Sequence, residues 1–219
     1  PRKIGRIGLC HLLTSKGGVR SEFTVYRVNS KQFYLVSAGS FDRHDFDYLS
    51  KACPVDGTVQ IRNITESYGV FVIAGPDSRS LLQKLTDTDL STKAFPWLSG
   101  QNIRLGDAEV KAIRVNFVGE LGWELHHPNE LQNSIFDMLF EAGQEFDIQP
   151  FGIRAMDSLR LEKSYRLIPR ELSIEYSAIE SGLTRFIAMD KDQFIGKAGL
   201  EKWKRQGFRW AFVTLEVSG

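Results

Sequence analysis

No stretch of this chain approaches the ~18 uninterrupted apolar residues of a membrane-spanning helix. The N-terminal PRKIGRIGLCHLL carries basic residues, but its apolar run is too short and too broken for a signal peptide. Cysteine is scarce. Cys10 and Cys53 are the two present, with no CxxC spacing and no histidine at zinc spacing. That speaks for a reducing compartment and against a metal site. Cys10 lies in an apolar stretch and reads as a small core residue. Charge of one sign is also lacking. The formal net charge is +1, so no global basic field argues for nucleic acid. Neither GxxxxGK[ST] nor GxGxxG occurs, which removes the phosphate loop and the dinucleotide fingerprint.

What remains is an ordinary globular composition, 42% apolar and 25% charged over 219 residues. That length suffices for one substantial core or two small, closely packed units. FTVYRV (23–28) and QFYLVSA (32–38) are rich in β-branched and aromatic residues and flank the polar NSK, so they read as a hairpin. Residues 41–52 place Phe41, Asp45, Tyr48, Leu49 and Ala52 at near-helical spacing, with Ser40 as candidate N-cap. VQIRNIT (59–65) and YGVFVIAG (68–75) read as strands. GPDSRSLLQKLT follows, with Pro76 at a first helical position and Leu81, Leu82 and Leu85 on one face. AEVKAIRVNFV and GWELHH read as a strand pair. Residues 129–146 predict an amphipathic helix with Leu131, Ile135, Phe136, Leu139 and Phe140 buried. Residues 152–163 predict another helix. Strands and helices mix without strict βαβ alternation, so the expected class is α+β. FRWAFVTLEVSG (208–219) is a strong strand signal with nothing downstream to pair with, and the chain reads as a segment of a longer polypeptide.

Three stretches carry chemistry-bearing residues. In GELGWELHH, Gly119 and Gly122 permit a tight turn and positive φ. Beyond it, alternation puts Trp123 and Leu125 on one face and Glu124 and His126 on the other. A glutamate on a rigid strand can accept two parallel N–H donors from a planar ring edge. It can equally be a surface glutamate or the partner of an arginine. In TSKGGVRSEFTV, Gly17-Gly18 looks like a turn before a strand; Glu22 alone reads as a solvated strand-start carboxylate. In GIRAMDSLRLEK, Arg154, Asp157 and Arg160 form a ladder at three-residue spacing that reads as helix-surface decoration.

Together GGVRSEFTV, GELGWELH, GIRAMDSLRLEK and DQFIGKAGL occur in the order and approximate spacing of the folate-binding aminomethyltransferase family. The chain resembles that family from about residue 5 to its end. The family includes the glycine cleavage T-protein and the C-terminal halves of dimethylglycine and sarcosine dehydrogenases. RNITESYGVFVIAGPDSRSLLQKLT and GELGWELHH look nearest to the dimethylglycine dehydrogenase branch. The resemblance implies interleaved α+β subdomains around a central hole, closed by a C-terminal β-barrel. Residues 1–208 would then be part of the folate-binding domain, and 209–219 the start of the barrel domain. It implies tetrahydrofolate as cofactor and Glu124 as the pterin-binding glutamate, with Glu120 in the turn. The family's aspartate near the reactive folate nitrogen falls at Ser21-Glu22, which makes Glu22 the candidate catalytic carboxylate.

Two departures matter. Phe117 stands where many members carry a folate-contacting tyrosine, and loses a hydrogen bond of about 0.5–1.5 kcal/mol. Met156 stands where T-proteins carry an arginine, leaving Arg154 as the candidate for the ligand's carboxylate tail. KDQFIGK (191–197) has Phe194 where the folate-binding iron–sulfur repair protein has a cysteine, which disfavours that relative.

The expectation is a one-carbon-transfer domain that captures a methylene unit from an N-methyl amine-derived iminium as 5,10-methylenetetrahydrofolate. It would be part of a dimethylglycine or sarcosine dehydrogenase-like enzyme. FAD would enter only through an upstream domain. Alternatives are a non-catalytic folate-binding module and a flavin-independent aminomethyltransferase or demethylase. The implied partners are folate and an N-methyl amine, without nucleic acid or membrane. The implied compartment is the cytoplasm, or the mitochondrial matrix if the source is eukaryotic.

Overall fold

A computed structural model describes residues 3–217. The chain divides into two units, of residues 3–8, 25–34 and 42–163, and of residues 9–24, 35–41 and 164–217. The architecture is α+β, as the sequence predicts.

The first unit is built on a four-stranded antiparallel sheet of β4 (Tyr68–Ala74), β5 (Gly100–Leu105), β6 (Ala108–Ile113) and β7 (Gly122–Pro128), in the order β4-β7-β6-β5. Its inner face carries Ile73, Trp123, Leu125, Ala112, Val110 and Ile103. Helices α2 (Ser78–Gln83) and α3 (Gln132–Gly143) cover that face through Leu81, Leu82, Ile135 and Leu139. Each fully buried leucine-sized side chain here contributes about 1.5–3 kcal/mol by leaving water. A smaller cluster of Ile7, Tyr26 and Ile113 forms a second core, with Tyr34 packed against it. Helices α1 (Asp42–Ala52) and α4 (Ile153–Glu162) complete this unit.

Strands β1 (Ile7–Leu13), β2 (Val19–Arg27) and β3 (Phe33–Val36) form a three-stranded sheet in that order and run through both units. The hairpin between β2 and β3 forms as predicted: Asn29 Oδ1 accepts the Lys31 and Gln32 N–H groups, and Val28 N–H bonds to Gln32 O. The second unit's core is Leu13, Val19, Leu172, Ala178, Leu183 and Leu200. Leu200 lies on α5 (Lys197–Gln206), which packs on the Gly17 turn. Gly17 has φ +87°, and a Cβ there would stand 2.8 Å from Leu200 Cδ2.

Several expectations fail for tertiary reasons. Residues 59–64 form no strand despite their alternation, and a 3-10 turn follows at Thr65–Ser67. The described part of 208–219 also forms no strand: residues 208–217 join no sheet, with Trp210, Val213 and Leu215 largely exposed. β-rich sequence needs a neighbouring strand to complete its ladder. Cys10 is exposed rather than core, because it points away from the packed side of β1. Phe136 is 43% exposed, and the buried stripe of α3 narrows to Ile135 and Leu139. Ser40 sits inside a 3-10 turn, Gly39–Phe41, rather than capping α1. Pro76 precedes α2 instead of opening it.

Candidate functional site

Strand β7 decides the geometry. Its register sets Glu124 between Val72 of β4 and Ile113 of β6, and His126 between Val70 and Lys111. Cross-strand neighbours share a face, so this outer face carries Glu124, His126 and Lys111 among apolar residues. Trp123 and Leu125 point the other way and are fully buried. The predicted division of β7 into a core face and a polar face is met. Tyr68, Val70 and Val72 are 37%, 46% and 38% exposed, so the outer face offers apolar surface beside the carboxylate.

The chain enters β7 through an irregular loop, residues 114–121. Asn116 Oδ1 accepts the Val118 and Gly119 N–H groups at 3.0 Å, and its Nδ2 donates to Glu120 O at 3.0 Å. Gly119 has φ +77°, the left-handed region that favours glycine. Gly122 does not use positive φ; there a Cβ would collide with Ile73 O, so its role is close approach of β4. Glu120 and Lys163 are both exposed and 3.9 Å apart, a weak pair. Phe117 is half-buried in the same loop.

Behind Glu124 stands a hydrogen-bonded series. His126 Nε2 is 3.2 Å from Glu124 Oε2, and Tyr34 OH is 3.2 Å from His126 Nδ1. The His126 side chain has no solvent exposure, and that of Glu124 is 20% exposed. Burial, followed by the Tyr68 and Glu124 charges, pushes the Tyr34 phenol up to about 12. Lys111 Nζ lies over the Tyr34 ring at 5.3 Å and the Tyr26 ring at 5.8 Å. Burial lowers its pKa, against an opposing pull from Glu109.

Glu22 belongs to the second unit. It is not a solvated strand-start group. It sits within β2, its side chain 24% exposed, with Oε2 2.7 Å from His11 Nε2. The His11 side chain is 6% exposed and its ring lies 5.7 Å from that of Phe186. Sequence reasoning missed His11. The β1–β2 turn was legible, with Thr14 N–H bonded to Gly18 O, but counting outward from that pair brings position 11 opposite 21, so the side-chain contact of His11 with Glu22 was not.

Arg154 is exposed in the first turn of α4. Its neighbours Ile153 and Met156 instead line a cavity of about 520 Å³, together with Val70, Val72, Phe136 and Phe151. Arg160 is not surface decoration. It is 1% exposed, with Nε 2.7 Å from Asp157 Oδ1, because it occupies the buried side of α4. Among the described residues no group of three or more His, Cys, Asp or Glu gathers as for a metal ion, and no helix is long and apolar enough to cross a membrane.

The α+β fold that carries Glu124 on an inner strand has a solved counterpart. The solved glycine cleavage system aminomethyltransferase T from Bartonella henselae has this fold: TM-score 0.79 at 21% identity, covering 94% of this chain and 55% of that one. The family described as GCVT N-terminal domain matches residues 1–191, and the chain belongs to that family. Mitochondrial dimethylglycine dehydrogenase of Mus musculus is 38% identical over 218 residues, 99% of this chain and 25% of the mouse protein. The aminomethyltransferase of Thermoanaerobacter sp. (strain X514) is 34% identical over 201 residues, 92% of this chain and 54% of that enzyme. The chain thus spans about a quarter of the dehydrogenase and about half of the aminomethyltransferase.

Proposed function

We propose that this chain binds tetrahydrofolate and serves in one-carbon transfer from an N-methyl amine-derived iminium. The observation that carries this reading is Glu124. It is a carboxylate on a rigid strand, with Oε2 held by His126 and Oε1 without a hydrogen-bond partner among the described residues. A half-open carboxylate beside exposed valines fits the two N–H groups and flat faces of a pterin edge.

The folate supplies two amine nitrogens: R2N⁺=CH2 and tetrahydrofolate give R2NH, 5,10-methylenetetrahydrofolate and a proton. Glu124 holds the pterin. Glu22 orients the folate amine or accepts its proton, and its charge stabilises the cationic carbon. Phe117 offers a ring without the hydroxyl. Arg154 is the candidate for the carboxylate tail, reached from an exposed position. FAD would enter only if an upstream domain exists to oxidise an N-methyl amine. The kinship with dimethylglycine dehydrogenase supports that setting.

The test is calorimetric titration with a reduced folate, wild type against Glu124→Ala. Binding lost on substitution supports the pterin-edge assignment. Equal binding by both removes Glu124 from the site, and no binding by the wild type rejects the folate reading for this chain.

A further inference from the structure

We propose that His126 is a positioning residue: with Tyr34 as its anchor, it holds the Glu124 carboxylate in orientation, with no cation paired to it among the described residues, so that Glu124 selects neutral paired N–H donors. This rests on the folate reading above and deepens it.

Donor and acceptor logic fixes the direction of the series. An ionised carboxylate only accepts, so the proton between His126 and Glu124 sits on Nε2. A neutral imidazole then has its lone pair on Nδ1, and the atom in reach of it is the Tyr34 hydroxyl, which must donate. The order is Tyr34 O–H to Nδ1, then Nε2–H to Glu124 Oε2. The tautomer is thus assigned from its partners. The high Tyr34 pKa keeps that donor protonated across the physiological range. Complete burial of the imidazole leaves it no water to bond with instead.

The charges around the series point the same way. Lys111 is the cross-strand neighbour of His126, yet its Nζ lies over the Tyr26 and Tyr34 rings and forms no ion pair with Glu124 among the described residues. On β4 the facing residues are Val70 and Val72, which carry no charge. An arginine or lysine against Glu124 would neutralise it and compete with a ligand. A neutral imidazole occupies one lone pair of Oε2 and leaves Oε1 free with the charge intact. Tyr34 is 92 residues from His126 in sequence, so the alignment depends on the fold rather than on β7 alone.

Two measurements on the full chain test the proposal. The first is side-chain nitrogen NMR of the free protein near pH 8, above the usual histidine pKa of about 6.5. His126, assigned by the signal lost in His126→Gln, is expected as the Nε2–H tautomer with a hydrogen-bonded Nδ1, and Tyr34→Phe is expected to mix the tautomers. An Nδ1–H tautomer or an imidazolium overturns the proposal.

The second is calorimetric binding of 5-formyltetrahydrofolate as probe. His126→Ala is expected to weaken binding about tenfold and Tyr34→Phe about threefold. His126→Gln, which still donates to Glu124, is expected to recover most of the loss. In a Glu124→Ala background, His126→Ala is expected to add nothing. Additive losses overturn the positioning role, since a merely structural histidine would weaken binding in either background. Should His126→Ala not fold, the Tyr34→Phe binding and the NMR result decide. Wild-type binding by Glu124→Ala would sink the folate assignment of Glu124 while leaving the tautomer result standing, so the two failures are distinct.

Discussion

His11 and Glu22 face each other from adjacent strands, Nε2 to Oε2 at 2.7 Å, with the imidazole nearly buried and the carboxylate about a quarter exposed. The pairing holds the one carboxylate of the second unit that the family resemblance marks for chemistry. If Glu22 acts on the folate amine, Glu22→Gln keeps the shape and removes the base. Formaldehyde-trapping turnover is expected to fall ~10²-fold with folate affinity nearly unchanged. Steady-state kinetics beside calorimetry checks this, and an unchanged turnover would release Glu22 from that role.

The two faces of the four-stranded sheet differ in what they contribute. Leu125 is fully buried in the inner core, so Leu125→Ala is expected to cost about 2–5 kcal/mol. Val70 is 46% exposed on the outer face. Val70→Ser is expected within about 0.5 kcal/mol of wild type, while weakening any ligand that lies on that face. Denaturant unfolding measures both.

Glu180 fastens residues 209–212 to the second unit. Its Oε2 accepts from Ser177 N–H and Oγ–H at 2.9 Å, its Oε1 accepts from Arg209 N–H at 3.0 Å, and Phe212 N–H bonds to its carbonyl. Burial pushes the Glu180 pKa up, but the hydrogen bonds from Ser177, Arg209 and Trp210 outweigh it, and the net shift is downward. A carboxyl with a depressed folded pKa contributes stability above its unfolded value, about 4.3, and loses it as pH falls through the folded value. Glu180→Gln is expected to cost about 1–3 kcal/mol at neutral pH. It should also flatten the acid limb of a stability–pH curve, and an unchanged limb would show the clamp contributes nothing.

Tyr34 gives the opposite limb. Its phenol is raised to about 12. Its unfolded value is about 10, so the unfolded chain releases this proton first. Stability is therefore full below pH ~10 and declines as pH rises toward ~12. Thermal melts across that window are expected to show the decline, with a smaller one in Tyr34→Phe.

The division of β7 into Trp123 and Leu125 against Glu124 and His126 was legible because strand alternation is local and has a period of two. The β2–β3 hairpin, the existence of helices near 78, 132 and 153, and the GExGxE turn follow from short-range patterns of the same kind. Long-range partners did not. His126 meets Tyr34 through the packing of distant segments, and His11 meets Glu22 by a side-chain contact between neighbouring strands. Arg160 is buried although its spacing suits a surface ladder, and residues 59–64 and 208–217 lack the neighbouring strand that their composition suits. Sequence by itself determined which face of β7 each chemical group takes. Only tertiary structure decided what stands opposite it, because hydrogen bonding and desolvation depend on neighbours that chain distance does not specify.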